Sequence, residues 1–121
     1  MHRPVVAVEG DRLVVQLHGL AALAAARRRI AVPLRAIVRA GAGAPAWPPI
    51  LPRWRVGTHL PPRGLAIGSF RHGGRRRFLF LTHSTRRVLR VELEGARWDE
   101  VELDVADPDD AVRRILHIEA A

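Results

Sequence analysis

The sequence predicts a mainly β fold: a barrel or sandwich of about seven antiparallel strands, with a short internal helix and a C-terminal capping helix. Three observations carry this. Short runs of alternating apolar and polar residues recur along the chain, glycine-centred turn signals separate them, and one strong helix start stands near the C-terminus at Asp107-Pro108. No βαβ alternation and no internal repeat is present, so an antiparallel β architecture plugged by its terminal helix follows.

The elements follow in order. Val5 to Val8 and Leu13 to Leu17 flank Glu9-Gly10-Asp11-Arg12, where a Gly-Asp pair suits a tight primed turn, so a first hairpin is expected. Gly19 to Arg27 spaces Leu20, Leu23 and Ala24 at helical intervals in an alanine-rich stretch and predicts about two turns of helix. Ile30, Val32 and Leu34 alternate as in a strand, which Pro33 confines to an edge or bulge because it has no amide proton for the ladder. Residues 41–64 hold six of the nine prolines and two of the three tryptophans and read as the long loop of the molecule.

Leu65 to Phe70 and Arg77 to Thr82 then form two runs around His72-Gly73-Gly74, and Phe78-Leu79-Phe80-Leu81 is apolar on both faces, as a central strand requires. Leu89, Val91 and Leu93, then Val101, Leu103 and Val105, predict a hairpin whose other face, with Glu100, Glu102 and Asp104, is wet. Trp98 falls in the opposite register to Val101, which calls for a bulge or a second apolar contact. In the closing helix Asp107 caps, Pro108 takes the first position, Asp109 and Asp110 meet the positive end of the dipole, and Val112, Ile115 and Leu116 form the buried stripe.

A chain of 121 residues buries enough surface for one core, so a single domain over 1–121 with a Pro/Gly-rich loop at 41–64 is expected. The absence of cysteine excludes disulfides, thiolate nucleophiles and zinc-thiolate sites, and cytoplasmic localisation is the expectation. All 20 basic residues are arginine, a pattern that high-GC coding also produces. Residues 1–90 carry a formal +15 and residues 91–121 a formal −7. That polarity serves an anionic partner, or an acidic C-terminal segment lying beside basic strands of the same chain or of a second copy.

The segment Arg53-Trp54-Arg55-Val56-Gly57-Thr58-His59-Leu60-Pro61, with Gly68-Ser69-Phe70, Arg77-Phe78 and the Asp107-Pro108 helix, resembles a group of small uncharacterised proteins of high-GC bacteria with a bacterial pleckstrin-homology-like (PH-like) fold. The resemblance covers roughly residues 12–118 and rests on turn and core positions. It implies binding rather than catalysis, with lipid headgroups, peptides or self-association as targets. The family's phosphoinositide binders place basic ligands around the first hairpin, where this chain has Glu9 and Asp11, so no headgroup residue carries over.

Catalytic, metal and cofactor chemistry find no support in the residue pattern. His2, His18, His59, His72, His83 and His117 lack ligand spacing, and neither Ser69 nor Ser84 sits in a nucleophile elbow. Gly73-Gly74 is followed by a strand and lacks the Gly-Lys-Ser/Thr ending, so a hairpin turn accounts for it better than a phosphate loop. Pro45-Ala46-Trp47-Pro48 and Pro49-Ile50-Leu51-Pro52 match PxxP, although a loop folding Trp47 or Trp54 over one end of the barrel accounts for them better.

The expected function is a non-catalytic binding module acting through protein contacts and self-association. The alternative is an anion-binding protein that meets nucleic acid or an acidic membrane surface. Candidate anion or partner contacts are Arg27, Arg28, Arg29, Arg71, Arg75, Arg76, Trp47 and Trp54. Arg75 and Arg76 are expected to be solvated beside their glycine turn, and Phe70 and Phe78 to be core rather than a stacking platform.

Overall fold

The computed structural model describes residues 2–48, 54–60 and 64–120, with backbone only at Leu23, Trp54, His72 and 118–120. The fold is mainly β, in two sheets with two helices. The small sheet holds β1 (Val5–Glu9), β2 (Arg12–Gln16) and β3 (Arg29–Pro33) in that order, all antiparallel. Gly10, at φ +63°, opens the two-residue turn of its first hairpin, as a primed turn requires. Pro33 ends an edge strand, where its missing amide proton costs nothing. Helix α1 (Gly19–Ala25) bridges β2 and β3 and stops shorter than the periodicity predicts, because Ala26 adopts φ +58° and Arg27 N donates to Ala22 O in a Schellman-type cap.

The large sheet is built from β4 (Ile37–Gly43), β5 (Trp54–Leu60), β6 (Leu65–His72), β7 (Arg75–Leu81), β8 (Val88–Leu93) and β9 (Glu100–Leu103), in the order β4-β8-β9-β7-β6-β5. The mainly β, two-sheet character agrees with the expectation, and three particulars of the expected barrel or sandwich of about seven antiparallel strands are corrected. Nine strands are present among the described residues, the six-stranded sheet is open because its edges β4 and β5 do not pair, and β7 and β9 run parallel. The parallel pair arises because the β8–β9 hairpin folds back so that β9 slots between β8 and β7. The 41–64 loop is likewise corrected: β4 runs through Gly43, and Trp54–Leu60 is a strand. Neither was legible, because alanine and glycine blur the alternation of β4 and the flanking prolines mask that of β5.

Phe78, Leu79, Phe80 and Leu81 are all essentially inaccessible, as a central strand requires. The main core lies between the two sheets. Val6, Leu13, Val15, Ile30 and Val32 meet Ile67, Phe78, Phe80, Leu89, Val91, Val101 and Leu103, and Trp98 joins them edge-on to Phe78 at 5.5 Å, the second apolar contact its register called for. Helix α2 (Pro108–Ala120) packs on β4 and β8. Asp107 Oδ1 accepts from Asp110 N at 3.0 Å, fulfilling the expected cap. The inward stripe of α2 is Ala111 and Ile115, both buried, with Val112 partly buried; Leu116 is exposed, which corrects the expected stripe.

Candidate functional site

On the face of the large sheet away from the main core, Ala66, Phe70, Leu79, Leu81 and Val88 form a second apolar cluster. Beside it lie the acids expected to be wet. Glu102 is fully buried, and Glu100 and Asp104 nearly so. Side chains that alternate with core residues reach water only if nothing covers them, and here the topology supplies a cover. β4 and β5 are opposite edges, so the chain joining them has to cross five interstrand gaps, about 24 Å at the usual spacing. Residues 44–48 make the described part of that crossing. Arg90 on β8 donates to Ala44 O at 2.9 Å, Ala46 N donates to Glu102 on β9 at 3.0 Å, and Arg77 on β7 donates to Ala46 O at 2.5 Å.

Beneath this strap Arg77 bonds Glu100 at 2.7 Å and Glu102 at 2.5 Å, while Arg90 bonds Glu102 and approaches Glu100 at 3.4 Å. Arg3 pairs with Asp104, which also accepts from Thr85 Oγ1 at 2.8 Å. No buried side-chain polar atom among the described residues lacks a partner. The acidic C-terminal strand therefore meets its arginines within the chain, the internal arrangement that its charge polarity allowed.

The sequence candidates divide accordingly. Arg75 is exposed but contacts Glu100 at 3.4 Å. Arg76 is not simply solvated: its backbone N and Nη2 donate to the two oxygens of Asp99 at 2.8 and 3.2 Å, Nη2 also reaches Ala96 O, and Asp99 N donates back to Arg76 O. β9 pairs in parallel with β7, Arg77 opposite Glu100, which brings Asp99 alongside Arg76 and is the reason for the correction. Hydrogen bonding from Arg76 holds the Asp99 carboxyl below the usual carboxylate range. Arg29 forms an exposed pair with Glu9 at 3.4 Å, away from the others. Trp47 is exposed on the strap, and the backbone of Trp54 is opposite Arg71 in the β5–β6 register.

Trp98 relates Arg27 to β6. Arg71 shares a face of β6 with Ser69, whose Oγ accepts from Trp98 Nε1 at 3.2 Å, and Arg71 is opposite Arg76. Arg27 lies over the Trp98 ring at 5.4 Å, and Arg97 lies over the same ring at 5.3 Å. Arg28 follows at the surface, beside a groove of about 670 Å³ lined by Gln16, His18, Ala22 and Ala26. Burial, and then the like charge of Arg97, hold the Arg27 guanidinium below its usual range. None of Arg27, Arg28, Arg71 and Arg97 has a carboxylate partner among the described residues. Sequence reasoning missed Arg97 and His18 as members of this group; the Arg97-Trp98 doublet was the available signal.

His59 is buried edge-on to Phe70 at 5.4 Å, and burial with the nearby Arg55 holds its imidazole below the ordinary range. Among the described residues no three His, Asp or Glu side chains group as a metal site, and no described helix is long and apolar enough to cross a membrane. No protein-family model, curated protein or solved structure matches this chain.

Proposed function

We propose that this protein is a non-catalytic binding module of PH-like type that meets an acidic protein surface through the arginines of the α1–β3 connection and of the adjoining large sheet. One observation carries the reading: Arg27, Arg28, Arg71 and Arg97 have no carboxylate partner among the described residues, whereas Asp99, Glu100, Glu102 and Asp104 are all engaged in ion pairs. Arg12, Arg35, Arg55 and Arg86 likewise lack a carboxylate partner among the described residues, but Arg27 and Arg97 are the two held together on one ring, that of Trp98, and such local positive charge steers and orients an acidic partner. The mainly β architecture with a C-terminal helix packed on β4 and β8 supports the PH-like reading. A protein partner is favoured over single-stranded nucleic acid because Phe70, Phe78 and Trp98 are buried and offer bases no stacking face.

The test is fluorescence anisotropy with a labelled polyglutamate peptide and with a DNA duplex, across a salt series. The peptide binds and Arg71→Ser with Arg97→Ser weakens it roughly tenfold, as loss of two charge-assisted contacts requires. Duplex binding with a steep salt slope, and no peptide binding, overturns the reading in favour of a nucleic-acid or acidic-membrane contact. Self-association belongs to the same proposal, and light scattering after gel filtration in low and high salt measures it.

A further inference from the structure

The groove beside α1 narrows the ligand class, on the premise that these arginines form the contact surface. The groove is framed rigidly. Leu17 N donates to Arg28 O at 2.8 Å, tying the exit of β2 to the entry of β3, and the αL turn at Ala26 directs Arg27 towards Trp98 while Arg28 stays at the surface. Two guanidiniums are thus held over one indole with no carboxylate between them. Acid supply is not the reason, since Asp99, next in sequence to Trp98, is used entirely by Arg76. Like charges kept together without an internal counter-ion mark a place where an external anion relieves repulsion.

We propose that this groove receives the phosphate monoester of a phosphorylated side chain on the protein partner. A carboxylate brings one charge and two oxygens. A phosphate monoester brings close to two charges and three acceptor oxygens, which match Arg27 and Arg28 together, with Arg97 supplying the field and His18 and Gln16 lining the rim. The burial that depresses Arg27 also strengthens its attraction to an incoming anion, because the effective dielectric is lower there.

The experiment titrates the ¹⁵N-labelled full chain with four probes: a phosphoserine peptide, the same peptide with glutamate in place of phosphoserine, inorganic phosphate, and vesicles of phosphatidylcholine containing phosphatidic acid. The phosphopeptide and inorganic phosphate saturate shifts of the same resonances, those of Arg27, Arg28 and the Trp98 indole. The glutamate peptide binds at least about tenfold more weakly than the phosphopeptide. Arg28→Gln, at an exposed side chain, lowers phosphopeptide affinity roughly tenfold without changing the melting temperature, so the result holds even if Arg27→Gln disturbs the packing over Trp98. Equal affinity for both peptides, or insensitivity to Arg28→Gln, overturns the phosphate assignment while leaving the acidic-partner reading intact. Vesicle binding with no response to either peptide overturns both.

Discussion

Arg77 on β7 places Nη2 2.5 Å from Oε2 of Glu102 on β9, and Glu102 accepts from the backbone of Ala46 in the strap above them. This pair links three parts of the chain distant in sequence and couples sheet formation to the seating of residues 44–48. Glu102→Gln leaves Arg77 and Arg90 beneath the strap with only Glu100 as counter-charge. Removing one partner of a buried ionic network typically costs about 3–5 kcal/mol, a large share of the stability of a domain of this size. Urea denaturation gives the loss, and faster hydrogen exchange at the Ala46 amide reports the freed strap.

The Arg76–Asp99 pair makes stability pH-dependent in a defined direction. The folded pKa of Asp99 lies below the ordinary value near 3.8, first through the side-chain hydrogen bond from Arg76. A depressed carboxylate contributes stability that is present above its unfolded pKa and is lost as pH falls through the folded value. Arg76→Gln therefore destabilises the protein near neutral pH, and the gap between the two proteins closes as pH drops below about 3.8. Denaturation midpoints measured from neutral pH down into the acid range show it; a gap constant with pH would mean that the pair does not titrate with folding.

Gly57 and Gly68 sit opposite each other in the β5–β6 ladder at φ +140° and +131°. A Cβ on either would lie 2.3 Å from a carbonyl oxygen across the strand pair, that of Ile67 for Gly57 and that of Val56 for Gly68. Neither conformation nor space admits a side chain. Gly68→Ala is expected to cost about 2–4 kcal/mol, backbone strain and overlap combined. The denaturation midpoint falls with the m-value unchanged, whereas Gly41→Ala, with open space at its Cβ, stays close to the parent.

Ala26 caps α1 at φ +58°, the conformation that an alanine adopts at a cost of about 1–2 kcal/mol. Ala26→Gly relieves that cost, partly offset by the greater freedom of glycine in the unfolded chain, for a net gain of up to about 1 kcal/mol and a melting temperature higher by a few degrees. Calorimetry decides it, and an unchanged or lower melting temperature would show that the cap is not strained.

Much of the fold follows from local chemistry and was therefore legible. Gly10-Asp11 and Gly73-Gly74 turn hairpins because glycine reaches positive φ freely, Asp107-Pro108 starts a helix because a carboxylate caps and proline needs no amide partner, and the four apolar residues from Phe78 are central because both of their faces are apolar. The candidate arginines could be named one by one for the same reason, since charge is a property of the residue.

What only the tertiary structure decided is which charges are free. Alternation along Glu100 to Asp104 promises a wet face, and nothing local says that a strap crossing from β4 to β5 will cover it. Once covered, those acids require arginines, and they take Arg77, Arg90 and Arg3, with Arg75 at the margin. The insertion of β9 between β8 and β7 depends on pairings between residues more than twenty apart, which no window of sequence contains. The same long-range packing brings Arg27 and Arg97 onto one tryptophan, where neither has a carboxylate partner among the described residues. Composition set the excess of positive charge, and the topology of the large sheet determined where it stays unpaired.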